Sequence, residues 1–288
     1  MAIRAPRPVL VFNHNPKAGG GTIRRVLEQA FTCELDPHVL TDPAGKRRDA
    51  VVRGGKGPTS CWVVVTEFKS SGSLAQQRGF VISSIREPCA HYLSLWSYAT
   101  VNKKSGFRSG QHRKLKDLED LYGKDTPFFN SSQDVTRFQR WMRHDKVTGL
   151  MMSRYNHNYL PTQKRFQVNG KKGFRVRDAR EHVDCWVFVE DFESTFINCL
   201  REFEAQGGSV DWEAAKLKQI VEGAVVIAEN KRQNDKNYTK NGNHGKCAAY
   251  FDAETAQMVE EGPDNLIYSK FGYSGCCSDV YNASIHPP

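Results

Sequence analysis

The first residues whose types and spacing suit chemistry lie between an apolar run, Val9–Asn13, and a stretch of helical character at Thr22–Phe31. They read Asn13-His14-Asn15-Pro16-Lys17-Ala18-Gly19-Gly20-Gly21-Thr22-Ile23. Glycines let backbone N–H groups approach an anion closely. The start of the following helix adds free N–H donors and a partial positive charge. Lys17 brings a full charge and Thr22 a hydroxyl. Together they suit a phosphate or sulfate group. The order differs from GxxxxGK[ST], in which the lysine follows the glycines, and it is not GxGxxG.

A second constellation follows Phe80–Ile85, a continuous β-branched run. The chain continues as Arg86-Glu87-Pro88, and Ser94 lies further on in an expected helix. An arginine at a strand end and a serine in the next helix can grip one phosphate from two sides, the guanidinium as a planar fork. Alone, the pair reads better as a salt-bridged arginine and a helix-surface serine.

These groups need a frame. Val9–Asn13, Trp62–Glu67, Phe80–Ile85 and Trp186–Glu190 have the apolar composition of strands buried on both faces. Helical stretches are expected at Thr22–Phe31, at His91–Thr100 after Pro88, at Asp134–Arg143, at Glu193–Gln206 before Gly207-Gly208, and at Trp212–Asn230. The alternation predicts an α/β fold with a central, mostly parallel sheet flanked by helices. One domain is expected over 1–288, with its core at about 9–274 and a tail at 275–288. Ligands of such sheets sit at the carboxyl ends of the strands, where both constellations fall.

Mean hydropathy is −0.59 and the longest apolar runs, such as Cys61–Val65, are strand-sized, so no membrane segment is expected. The N-terminus shows no long apolar region or cleavage site of a signal peptide. A net charge of +9 favours anionic partners. The basic residues cluster in Arg108–Lys116 and Lys164–Arg180, without aromatic interleaving of the kind that marks nucleic-acid binding, so no nucleic acid is expected. None of the eight cysteines forms CxxC or a zinc-like Cys/His spacing, and no metal is expected. Cys61 and Cys185, inside apolar runs, read as buried free thiols. Cys247, Cys276 and Cys277 are candidates for disulfides in an oxidising compartment.

His14-Asn15-Pro16-Lys17-Ala18-Gly19-Gly20-Gly21-Thr22 resembles the 5′-phosphosulfate loop of sulfotransferases that use 3′-phosphoadenosine-5′-phosphosulfate (PAPS), in particular the Golgi carbohydrate group. The family pattern is near His-x-Pro-Lys-Thr-Gly-Gly-Thr-Ser, so Gly21 and Thr22 depart from it and one hydroxyl is lost. Arg86-Glu87-Pro88 with Ser94 is similar to the family's 3′-phosphate signature, with His91 at a place often basic. Trp186–Phe192 resembles a late strand–Glu–helix segment, and Asp264–Tyr273 resembles the closing Asp-x-x-Leu-Tyr-x-x-Phe-Gly-Tyr. The resemblance implies a P-loop-like domain that binds PAPS through Pro16, Lys17, Ala18, Gly19, Gly20, Gly21, Thr22, Ile23, Arg86 and Ser94. Lys240 and Asn241 fall in a basic loop that, in the family, folds over the cofactor. Lys17 would stabilise the leaving oxygen. The family draws its general base from between the two motifs, where Glu67 follows a strand end, and His14 beside the loop is the second choice. No metal is implied.

The acceptor would be a hydroxyl, on a glycan by the resemblance. Arg154, His157 and Lys164–Arg180 are candidate lining for an acidic one. A small alcohol, a phenol or a tyrosyl peptide stays open as acceptor. So do two other classes: a nucleotide-dependent phosphotransferase and a non-catalytic protein that binds acidic glycans. The expected compartment is the Golgi lumen for an excised catalytic domain and the cytoplasm for a complete chain.

Overall fold

Runs of β-branched and aromatic residues form the central strands of one sheet. The computed structural model describes residues 9–13, 15, 18–20, 22–23, 26–27, 38–41, 48–53, 62–66, 79–101, 131–143, 147, 166–168, 171–173, 183–208, 210, 247–278 and 280–281. Its strands are β1 (Val9–Asn13), β2 (His38–Thr41), β3 (Arg48–Arg53), β4 (Trp62–Thr66), β5 (Gly79–Ile85), β6 (Phe166–Val168), β7 (Lys171–Gly173) and β8 (Cys185–Phe188). Six of them form one sheet in the order β2-β3-β4-β1-β5-β8. The run β4-β1-β5-β8 is parallel, while β3 and β2 extend it antiparallel. The fold is α/β with a mostly parallel sheet, as expected. The β2–β3 pair was not foreseen, because its polar and charged residues lack the pattern of a buried strand. β6 and β7 form a separate antiparallel pair inside the basic stretch Lys164–Arg180.

The chain divides into two compact units. The first comprises Met1–Ile85 and Arg154–Val226; the second comprises Arg86–Ser153 and Ile227–Pro288. In the first, alternate residues of each strand share a face. Leu10, Phe12, Phe80, Ile82, Cys185 and Val187 pack with Ile23, Val26 and Leu27 after the glycine loop, and with Phe196, Cys199, Leu200 and Phe203. The last four lie on a helix at Phe192–Ala205 that ends at Gly207, φ +91°. Cys185 is not a free thiol: it is disulfide-bonded to Cys199, joining β8 to that helix. Its pairing was hidden in the sequence because a helix turn, not a motif, brings the partner across. Cys61 lies outside the described residues, as do Arg108–Lys116 and the helix expected at Trp212–Asn230.

The second unit is helical. Numbered in chain order, with α3 the Phe192–Ala205 helix, its helices are α1 (Pro88–Val101), α2 (Ser132–Met142), α4 (Cys247–Tyr250), α5 (Ala253–Glu260) and α6 (Asn265–Phe271). Trp96, Phe138, Trp141 and Tyr250 form its aromatic core, with Phe138 and Tyr250 edge to face at 5.3 Å. Its buried carboxylates are matched to aromatic donors. Trp96 Nε1 (3.0 Å) and the Tyr250 hydroxyl donate to Asp134, and the Tyr92 hydroxyl donates to Asp264. Satisfied this way, a buried network fixes one arrangement of helices. Disulfides Cys89–Cys276 and Cys247–Cys277 tie residues beyond 274 to α1 and α4. No helix among the described residues is long and apolar enough to cross a membrane.

Candidate anion-binding site

Where β1 and β5 end side by side, Asn13 pairs with Ser83, and the Ser83 hydroxyl donates to the Asn13 carbonyl at 2.8 Å. The chain then turns. Asn15 Nδ2 donates to the Ser84 carbonyl at 3.3 Å, and the Ala18 N–H donates to the Asn15 carbonyl at 3.2 Å. Gly19 follows at φ +71°, and its carbonyl accepts from the N–H groups of Thr22 (2.9 Å) and Ile23 (3.1 Å). That bonding opens a helix whose first described residue is Gly20. Ala18 and Ile23 are buried, Thr22 half-buried. The sequence therefore builds a strand–glycine turn–helix at the carboxyl edge of the sheet.

The turn requires glycine at 19. A Cβ there would stand 3.2 Å from Val189 Cγ2, on a backbone that L-residues rarely adopt. Gly19→Ala is expected to cost about 1–3 kcal/mol, measured by denaturant unfolding. Wild-type stability in that variant would contradict the turn.

Two polar atoms at this edge are buried without a hydrogen-bond partner among the described residues: Asn15 Oδ1 and Ser84 Oγ. Asn15 is 3% exposed and Ser84 fully buried. Buried polar atoms are nearly always paired; of these two, the Ser84 hydroxyl can donate to an anion, whereas the Asn15 amide oxygen only accepts. Sequence reasoning passed over both residues. Asn15 lay within the loop as an unassigned polar residue, and Ser84 was one of two adjacent serines in an apolar strand.

Arg86, half-buried, follows the last residue of β5. Glu87 then caps α1. Its Oε1 accepts from the Cys89 N–H at 2.9 Å and its Oε2 from the Ala90 N–H at 2.6 Å. Pro88, the first helical residue, has no N–H to satisfy. The Tyr268 hydroxyl donates to Oε1 at 2.7 Å. The closing segment Asp264–Tyr273 thus holds the carboxyl of Arg86-Glu87-Pro88, a link the sequence did not reveal. Ser94 is half-buried on α1, and His91, which the sequence offered as a basic residue, is fully buried. Ala18, Gly19, Gly20, Thr22 and Ile23 belong to the first unit, Arg86 and Ser94 to the second. His14, Pro16, Lys17, Gly21, Glu67, Arg154, His157, Lys240 and Asn241 lie outside the described residues.

Burial pushes the Glu87 carboxyl up from 4.5 to about 7, against the pull of the Tyr268 hydroxyl and the Ala90 and Cys89 amides. Between those values the folded chain binds more protons than the unfolded chain. This contribution to stability is therefore full below pH 4.5 and is lost as pH rises through about 7. The loss is on the order of 3 kcal/mol. Melting of the oxidised protein is expected to show this fall, and Glu87→Gln to flatten it. An unchanged slope in the variant would rule out Glu87 as its source.

The chain matches no protein-family model, no curated protein and no solved structure.

Proposed function

We propose that this protein is a sulfotransferase that moves the sulfuryl group of PAPS to an acceptor hydroxyl, on a carbohydrate, within a P-loop-like domain. One observation carries the reading: a positive-φ glycine turn that opens a helix at the carboxyl ends of β1 and β5, with the buried Ser84 hydroxyl beside it unpaired among the described residues. The Pro16-Lys17-Ala18-Gly19-Gly20 loop leaves the end of β1, and Arg86-Glu87-Pro88 leaves the end of β5. That order and those strand ends match what the resemblance implies for the 5′-phosphosulfate and the 3′-phosphate.

In this reading the loop amides and Thr22 bind the phosphosulfate, and Arg86 with Ser94 binds the 3′-phosphate. Transfer is an in-line displacement in which positioning and electrostatics dominate. Lys17 neutralises the bridging oxygen as adenosine 3′,5′-bisphosphate leaves. Glu67, or His14 in its place, accepts the proton of the acceptor hydroxyl. Lys240 and Asn241 close over the cofactor. Disulfides Cys89–Cys276, Cys185–Cys199 and Cys247–Cys277 belong to an oxidising compartment and favour the lumenal placement. The net charge of +9 suits an acidic glycan.

The test is transfer from radiolabelled PAPS to an acidic glycan, a neutral sugar, a tyrosyl peptide and a simple phenol. Label in the acidic glycan, falling as salt rises, is the expected result. Label only in the peptide or phenol would move the acceptor, and label in none would defeat the reading.

A further inference from the structure

Four cysteines far apart in sequence meet in the second unit: Cys89 in the first turn of α1, Cys247 at the start of α4, and the adjacent pair Cys276-Cys277. They are joined as Cys89–Cys276 and Cys247–Cys277, yet the two bridges touch: Cys276 Sγ and Cys277 Sγ are 3.8 Å apart. The sulfurs of Cys89, Cys276 and Cys277 lie within 4.8 Å of one another, and Cys247 Sγ lies as close to Cys277 Sγ and a Glu87 oxygen. A tetrahedral zinc ion with bonds of about 2.3 Å to sulfur holds its ligands about 3.8 Å apart. One edge of that tetrahedron is already present. Completing it requires each bonded pair to open by about 2 Å and Cys247 Sγ, which does not group with Cys89 and Cys276, to move toward them.

We propose that in the reduced protein Cys89, Cys247, Cys276 and Cys277 form a tetrathiolate site for zinc or a similar thiophilic divalent cation. Reduction comes first. Each disulfide takes two electrons and two protons from an external dithiol, which leaves as its cyclic disulfide. Four thiols result. The cation then displaces four protons and binds four thiolates, leaving a net charge of −2 at the site. The backbone supports this exchange. Cys89 occupies the first turn of a helix of 14 residues, where the dipole favours a thiolate. The same four residues would thus hold the C-terminal segment to α1 and α4 in either redox state, by disulfides or by the ion.

The test uses the full chain, reduced with a dithiol under inert gas, desalted, and titrated with cobalt(II) and then zinc. The expected result is one cobalt per chain with the intense thiolate charge-transfer and tetrahedral d–d absorption of a four-sulfur site, displaced by zinc and absent from the oxidised protein. Cys276→Ser and Cys247→Ser should each weaken binding at least about tenfold, since losing a ligand exceeds the loss of an outer-shell partner. A chain with alanine at Cys33, Cys61, Cys185 and Cys199 should keep the site. If a variant fails to fold by circular dichroism, the cobalt spectrum of the wild-type chain decides. Reduced wild-type protein that takes no cobalt, or gives only a weak octahedral spectrum, overturns the proposal. So does cobalt binding that survives Cys276→Ser unchanged.

Discussion

Lys17→Ala is expected to lower kcat about 10²–10³-fold, the usual cost of removing one positioned group that stabilises developing charge. The reason lies in where charge builds. In PAPS the bridging oxygen between phosphorus and sulfur is only partly negative. In the transition state it takes on the charge of the departing bisphosphate. In the proposed mechanism Lys17 meets that charge as it forms, so its loss should fall on kcat more than on KM. Adenosine 3′,5′-bisphosphate should still bind, through the loop amides and Arg86, and an acidic glycan should bind as before. A Lys17→Ala enzyme within tenfold of wild type would remove Lys17 from the transition state. Glu67→Gln, assayed beside it, tests the base. Near-normal turnover would move that role to His14.

The largest expected effect on stability comes from Cys89→Ala/Cys276→Ala. The bridge closes a sequence separation of 187, against 30 for Cys247–Cys277 and 14 for Cys185–Cys199. In the chain-entropy account a longer closed loop constrains the unfolded chain more. The cost is about 5 kcal/mol for the first bridge and about 3 kcal/mol for the last. Melting should fall by at least about 10 °C without Cys89–Cys276, and by less without Cys185–Cys199. The reverse order would show that the unfolded chain is not the main site of the effect. The Cys89–Cys276 bridge also lies beside the Glu87 cap, since the Cys89 N–H and the Tyr268 hydroxyl share Oε1. The variant should therefore lose part of its bisphosphate affinity through a less fixed Arg86 turn.

What the sequence made legible follows the range of the forces involved. β1, β5 and β8 were readable because burial on both faces leaves a run of apolar residues. α1 was readable because Pro88 is pre-set for a first helical position. β2, at the sheet edge, and β3, which begins with Arg48-Asp49 and ends with Arg53, were not, because neither is a continuous apolar run. The loop was readable at Gly19–Gly21, where backbone freedom restricts residue choice. Its supports were not: Asn15 meets Ser84 across 69 residues, and Glu87 meets Tyr268 across 181. No local pattern records such pairs. The cysteines show the same limit, since Cys89, Cys247, Cys276 and Cys277 have no metal-like spacing and meet only after α1, α4 and the C-terminal turn have formed.

The central claim is a cofactor bearing both a 5′-phosphosulfate and a 3′-phosphate, and its desulfated product probes it most directly. Thermal unfolding is to be followed with adenosine 3′,5′-bisphosphate beside AMP, NAD and ATP with magnesium. At 100 times its dissociation constant a ligand stabilises the fold by about 2.7 kcal/mol, a rise of several degrees. The account predicts that rise for the bisphosphate alone, and its loss in Arg86→Ala. No rise with the bisphosphate, together with a clear rise with ATP and magnesium, would contradict the sulfotransferase reading and point to a phosphotransferase.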